Sequence, residues 1–224
     1  MKTAIFIRTA PYKYKQPERN LYKSLDLIGR QDAQPHISLP LSTEAHLKIT
    51  AIRDIYHHAV TGKVVCSEFI RSQETAVLFH PAADASPLLN EIRFSMDDFS
   101  RETELPGDTL DTSKMNIIRK NFSLALLRDG MQESQENILD RIREFAATVN
   151  MIEEASVLLC CSHGFIMKLF ENFFRRRCAV ARFQDIVLDH DWTKAPYGFL
   201  DGFMLNFSDL NDEGSYVRDL NELY

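Results

Sequence analysis

The sequence predicts a three-layer α/β/α sandwich around a mostly parallel central sheet. Strand-like and helix-like segments alternate along the chain, which calls for crossover connections and parallel strands. Short polar motifs follow several of the strand-like segments, at the carboxyl ends where open α/β sheets hold their ligands. At 224 residues the chain has the length of a single α/β domain with a sizeable core.

Thr3 to Arg8 reads as the first strand. From Leu41 to Ala59 the apolar residues Leu47, Ile49, Ile52, Ile55 and Ala59 form a helical stripe that begins beside Ser42 and Thr43, both suited to capping. Lys63 to Cys66 is a short β-rich run. A helix is expected over Ser67 to Phe79, anchored by Ile70, Ala76, Val77 and Phe79. A second strong helix spans about Glu136 to Ile152, where Ile138, Ile142, Phe145, Val149 and Ile152 recur every three or four residues. Val157 to Cys161 reads as a buried central strand, Phe165 to Phe174 as the next helix and Leu200 to Phe207 as a final strand. Ile92 to Asn121 and Ala179 to Pro196 are expected to be irregular, with a cap or insert at about 92–135 in an otherwise single domain spanning residues 1–224.

Composition excludes several function classes. The hydrophobic fraction of 45% and charged fraction of 26% are those of ordinary globular proteins. A net charge of −6 and a pI near 5.7 argue against a nucleic-acid binder. The one basic run, Arg175 to Arg177, ends an apolar helical stretch and reads as a solvated terminus matched to the helix dipole. The start of the chain does not have the pattern of a secretory leader, and no apolar run approaches the ~20 residues of a membrane span. A soluble cytoplasmic protein is expected. Cys66, Cys160, Cys161 and Cys178 have no metal-ligand spacing and read as reduced core thiols, while His57 and His58 read as a surface pair. No metal and no cofactor is implied.

Three strand ends carry the chemistry: Arg8-Thr9-Ala10, then Ser67-x-x-x-Arg71-x-x-x-Thr75-Ala76, then Ser162-His163-Gly164. Together, in this order and strand context, they resemble the histidine phosphatase (phosphoglycerate mutase-like) superfamily, whose strands end in Arg-His-Gly, Ser-x-x-x-Arg-x-x-x-Thr-Ala and Ser-His-Gly. Pro40-Leu41-Ser42, Glu133-Ser134 with Arg141, and Leu220-Asn221-Glu222 are weaker pieces of the same resemblance, which covers most of the chain. It implies that Arg8, Arg71 and His163 hold phosphoryl oxygens and that Glu91, in Leu89-Asn90-Glu91, protonates the leaving oxygen. Asp97, Asp98 and Glu102 are rivals for that acid. Two guanidinium forks suit this task, because phosphoryl transfer depends on positioning and on neutralising the equatorial oxygens.

The departure is at the first strand end, where Thr9 stands at the family's nucleophilic histidine and Ala10 at its glycine. A threonine hydroxyl needs a base and would form a stable ester where imidazole forms a reactive N–P bond, so the ordinary covalent cycle is expected to fail. The expected ligand is a phosphorylated or otherwise anionic small molecule. A divergent enzyme working without phosphohistidine, with His163 and Glu91 available for acid–base work, a catalytically inactive phosphate-binding or regulatory module, and a scaffold for another chain all remain open. So does a homodimer.

Overall fold

The computed structural model describes residues 1–10, 12–13, 36–37, 41–59, 61–93 and 112–223. β1 (Lys2–Arg8) is apolar on both sides, with Ala4 and Phe6 facing one way and Ile5 and Ile7 the other, and all four are fully buried. β6 (Ser156–Ser162) is buried along its whole length. These strands are central because only a position between two helical layers hides both faces.

β2 (Tyr12–Lys13) and β3 (His36–Ile37) pair with each other as a separate ribbon. α1 (Thr43–His57), β4 (Thr61–Cys66), α2 (Ile70–Val77) and β5 (Asp84–Ala85) follow, then a 3₁₀ turn at Pro87–Leu89. The second half contains α3 (Thr112–Leu127), α4 (Gln135–Asn150), β6, α5 (Gly164–Arg175), α6 (Phe183–Val187), β7 (Gly202–Phe207) and β8 (Tyr216–Asp219), with a closing 3₁₀ turn at Leu220–Leu223. The main sheet has the order β5-β4-β6-β1-β7-β8. Its first four strands pair in parallel, and β7 runs antiparallel to both of its neighbours.

The strands ending at Arg8, Cys66 and Cys161 therefore lie side by side, as the alternation of patterns predicts. The register sets Ile7 beside Cys161 and Cys161 beside Cys66, so Arg8 and Ser162 are level where the chains leave the sheet. One core layer joins Phe6, Leu158 and Cys160 to α4, α5 and α6. The other joins Ile5, Ile7, Leu159 and Cys161 to α1 and α2. Adjacent Cys160 and Cys161 thus enter opposite layers, both as free thiols.

Ser42 and Ser134 cap α1 and α4, each accepting a backbone N–H three residues on. His57 and His58 are exposed, Arg176 and Arg177 form exposed ion pairs with Asp189 and Glu213, and Arg175 reaches from the surface to the buried carboxylate of Glu171. Two expectations are corrected. The stretch from Ile92 to Asn121 contains most of α3, and Ala179 to Pro196 contains α6. Phe122 on α3 packs 4.1 Å from Phe165, whose other neighbour, Trp192, stacks at 4.9 Å. That aromatic pile draws both segments onto the start of α5 and supplies the packing that their polar sequences do not advertise. Pro40 and the rivals Asp97, Asp98 and Glu102 lie outside the described residues. Among the described residues no helix is long and apolar enough to cross a membrane.

Candidate functional site

Ser67, Arg71 and Thr75 recur every fourth residue from the β4 end into α2, a spacing that puts side chains on one helical face. That face is directed at the ends of β1 and β6. Ser67 Oγ lies 2.6 Å from His163 Nε2, and Arg71 Nε donates to His163 Nδ1 at 3.2 Å. Thr75 Oγ1 donates to the Arg71 carbonyl at 2.7 Å and accepts the Ala10 N–H at 2.9 Å. The second motif therefore joins all three strand ends. Ser72 adds a further tie, donating to the Cys161 carbonyl at 2.6 Å.

The tautomer of His163 follows from its partners. An arginine Nε–H can only donate, so Nδ1 accepts and the single ring proton sits on Nε2, directed at Ser67. His163 is 3% exposed. Burial, followed by repulsion from Arg71, Arg8 and Arg141, holds its pKa well below the ordinary imidazole value. His163 is thus neutral, with both ring nitrogens engaged by protein groups.

Arg8 leaves β1 beside His163, its stem against Gly164. Its Nη1 donates to the Tyr197 carbonyl, and the Phe199 ring centroid lies 4.5 Å from its Cζ. Arg71 is 4% exposed and stacks on Phe69, also at 4.5 Å. Arg119 is a further guanidinium in this region. It sits three residues before Phe122 on α3 and close enough to Arg8 that the two repel; burial first and Arg8 second lower its pKa.

Glu91 follows a segment held by several groups. Ser162 Oγ donates to the Leu89 carbonyl at 2.6 Å, and Arg141 donates to the Asn90 carbonyl at 2.5 Å and to Glu133 at 2.9 Å. Asn90 exchanges two hydrogen bonds with Glu68 in the β4–α2 turn. Glu91 is 7% exposed, and its carboxyl lies at the amino end of α5, accepting N–H groups of Ile92, Phe165 and Ile166 at 3.1–3.3 Å. Burial raises its pKa, against the opposing pull of those N–H donors and of Arg71. The same carboxyl thus caps a helix and holds its proton to higher pH than an exposed glutamate does.

Thr9 is 2% exposed, and its backbone N–H donates to the Ser162 carbonyl at 3.1 Å. Among the described residues no carboxylate or imidazole is hydrogen-bonded to its hydroxyl. Ala10 is buried without a positive φ, so its Cβ is accommodated in ordinary backbone. Asn221 is exposed and its backbone N–H donates to Asp219, so it takes no part in this cluster.

The structure thus brings Arg8, Thr9, Arg71, Glu91 and His163 to one end of the sheet. Ser67 and Thr75 join this cluster through hydrogen bonds to His163, Arg71 and Ala10, and the signal for them in the sequence is their four-residue spacing from Arg71. Arg119 lies on α3, in a stretch whose sequence carries no clear helical stripe. Among the described residues no group of three or more histidine, cysteine, aspartate or glutamate side chains could hold a metal ion.

The sequence matches no family model and no curated protein sequence significantly. Solved structures are similar over nearly the whole chain. The alpha-ribazole phosphatase of Shigella flexneri is 16% identical, with a TM-score of 0.56 over 99% of this chain and 96% of that one. A mycobacterial glucosyl-3-phosphoglycerate phosphatase complexed with VO3 is 13% identical, with a TM-score of 0.57 over 98% and 97%. A mutant phosphoserine phosphatase of Entamoeba histolytica in complex with phosphoserine is also 13% identical, with a TM-score of 0.54 over 97% and 95%. With its strand order, two helical layers and near-complete overlap with these phosphatases, the chain has the histidine phosphatase (phosphoglycerate mutase-like) fold.

Proposed function

We propose that this chain binds a phosphorylated small molecule through Arg8 and Arg71, with His163 beside them, and hydrolyses it slowly without a phosphohistidine intermediate. The observation that carries the reading is the gathering of fixed positive charge at the sheet end, where Arg8, Arg71 and Arg141 act on a neutral His163, Arg71 also acts on the buried carboxyl of Glu91, and Arg119 lies near Arg8. Arg119, on the Arg8 side, suits a ligand that carries a second acidic group. In this reading a water molecule attacks phosphorus, the P–O ester bond breaks, and Glu91 gives its proton to the departing oxygen. Glu91 then regains a proton released by the attacking water. Thr9 is a weak candidate for nucleophile because no described base is hydrogen-bonded to its hydroxyl.

A second reading, a binding module without turnover, is favoured by the engagement of both His163 nitrogens and both Glu91 oxygens by protein groups. One experiment separates them. Aryl phosphate hydrolysis is measured for wild type and Glu91→Gln, with rapid quench of a labelled ester. The expected result is weak turnover that falls at least tenfold in Glu91→Gln, with no acid-labile label on the chain. Phosphate binding with no turnover selects the binding module. A stoichiometric, acid-labile and base-stable label on histidine refutes the proposed route.

A further inference from the structure

Arg8 is enclosed by the segment from Pro196 to Asp201. Arg8 N donates to the Asp201 carbonyl at 2.9 Å, and Leu200 N donates to the Arg8 carbonyl at 3.1 Å. The side chain is gripped as well, by the Tyr197 carbonyl on Nη1 and by the Phe199 ring over Cζ. To make these contacts the chain places buried Leu200 at φ +60°, a left-handed conformation that a leucine adopts only when its surroundings impose it. One end of the segment is tied by Asp201, which pairs with Lys48 and accepts the Gly198 N–H at 3.0 Å.

The other tie is made by a buried side-chain pair. The Tyr197 hydroxyl donates to Glu171 Oε2, and these residues are 8% and 5% exposed. Glu171 is held in turn by Lys168 at 2.6 Å and Arg175 at 2.7 Å, one turn before and one turn after it on α5. This helix begins at Gly164, directly after His163. The helix that fixes the exit of His163 from the sheet therefore also carries the anchor of the segment that grips Arg8.

We propose that Glu171 and Tyr197 are positioning residues for Arg8: their buried hydrogen bond fixes the 196–201 segment against α5 and so holds the guanidinium in its anion-binding orientation. The inference rests on the reading of Arg8 as a phosphate ligand. A guanidinium on a long stem has many rotamers, and an anion gains most from one that is already held in place. Tyr197 contributes this through its carbonyl, while its hydroxyl, at the far end of the side chain, donates to Glu171 on α5. Neither residue need touch the ligand.

The test is a mutant cycle read by calorimetric titration with inorganic phosphate, with chemical unfolding recorded in parallel. Tyr197→Phe keeps the ring and removes only the hydroxyl. It is expected to weaken phosphate binding about three- to tenfold, the value of one hydrogen bond. In an Arg8→Ala background, or Arg8→Met if the stem is needed for folding, the same change is expected to cost less than twofold. In an Arg71→Ala background the loss is expected to persist. Glu171→Gln, which keeps an acceptor for the phenol, is expected to weaken binding less than Tyr197→Phe does.

Equal losses with and without Arg8, or unchanged affinity in Tyr197→Phe, would overturn the proposal and leave the pair a purely structural one. If wild type does not bind phosphate, or Arg8→Ala binds it as well as wild type, the assignment of Arg8 itself is wrong and the positioning role falls with it.

Discussion

A histidine that is 3% exposed and faces Arg71, Arg8 and Arg141 stays neutral at pH values where a free imidazole takes up a proton. This makes stability depend on pH with a definite sign. Below about pH 6.5 the unfolded chain binds a proton at this residue and the folded chain does not, so stability falls as the pH drops from 6.5 toward the lowered folded value. The slope is at most about 1.4 kcal/mol per pH unit. Urea unfolding at pH 7.5 and pH 5 is therefore expected to show wild type losing about 1–2 kcal/mol more than His163→Asn over that interval. His190, whose pKa is also lowered by burial, contributes to both proteins and cancels. Equal losses would mean that His163 is protonated in the folded state. At this scale the sequence was informative about identity and less so about contacts. Arg8, Arg71 and His163 stood out because motif spacing tied each to a strand end, whereas the saturation of His163 by Ser67 and Arg71 depends on how three strands converge.

Gly202 opens β7 opposite Ile7, and a Cβ there would lie 1.8 Å from the Phe6 carbonyl oxygen and 2.8 Å from its carbon. Both are backbone atoms of the central strand, so no side-chain rotation relieves the clash. Gly202→Ala is expected to destabilise the protein by about 3 kcal/mol or more, beyond usual overpacking costs, and Gly214→Ala, with open space around its Cβ, by about 0 kcal/mol or to stabilise slightly. Denaturant midpoints at constant m-value check both. Similar midpoints for the two variants would show that β7 can shift away from β1. The central elements were legible in the sequence for a related reason: strands buried on both faces, such as β1 and β6, must be continuously apolar, and α4 must show one stripe. α3 was missed because Ile117 and Leu124 fall on the side opposite Phe122 and Leu126, blurring its stripe; Ile117 is indeed exposed. β5 and β8 were missed because edge strands of two and four mostly exposed residues are specified by their neighbours rather than by their own pattern.

The whole molecule carries a net charge of −6, yet one end of its sheet gathers Arg8, Arg71 and Arg119. Net charge does not decide what a pocket binds; the local excess does, because charges beyond a Debye length of about 8–10 Å are screened. Occupation of such a site by an anion stabilises the fold as a unit. With phosphate at one hundred times its dissociation constant the linkage is worth about 2.7 kcal/mol, or about 5–10 °C in a domain of this size. Phosphate also stabilises proteins in general by exclusion from their surfaces, so the specific part must be isolated. Arg71→Ala does this, because it keeps the surface and weakens the site by about 1.5–3 kcal/mol of affinity. Thermal unfolding at that phosphate concentration, against chloride of equal ionic strength, is thus expected to give wild type a rise that Arg71→Ala loses by half or more. Equal rises in the two proteins would assign the effect to exclusion alone and would remove Arg71 from the binding site.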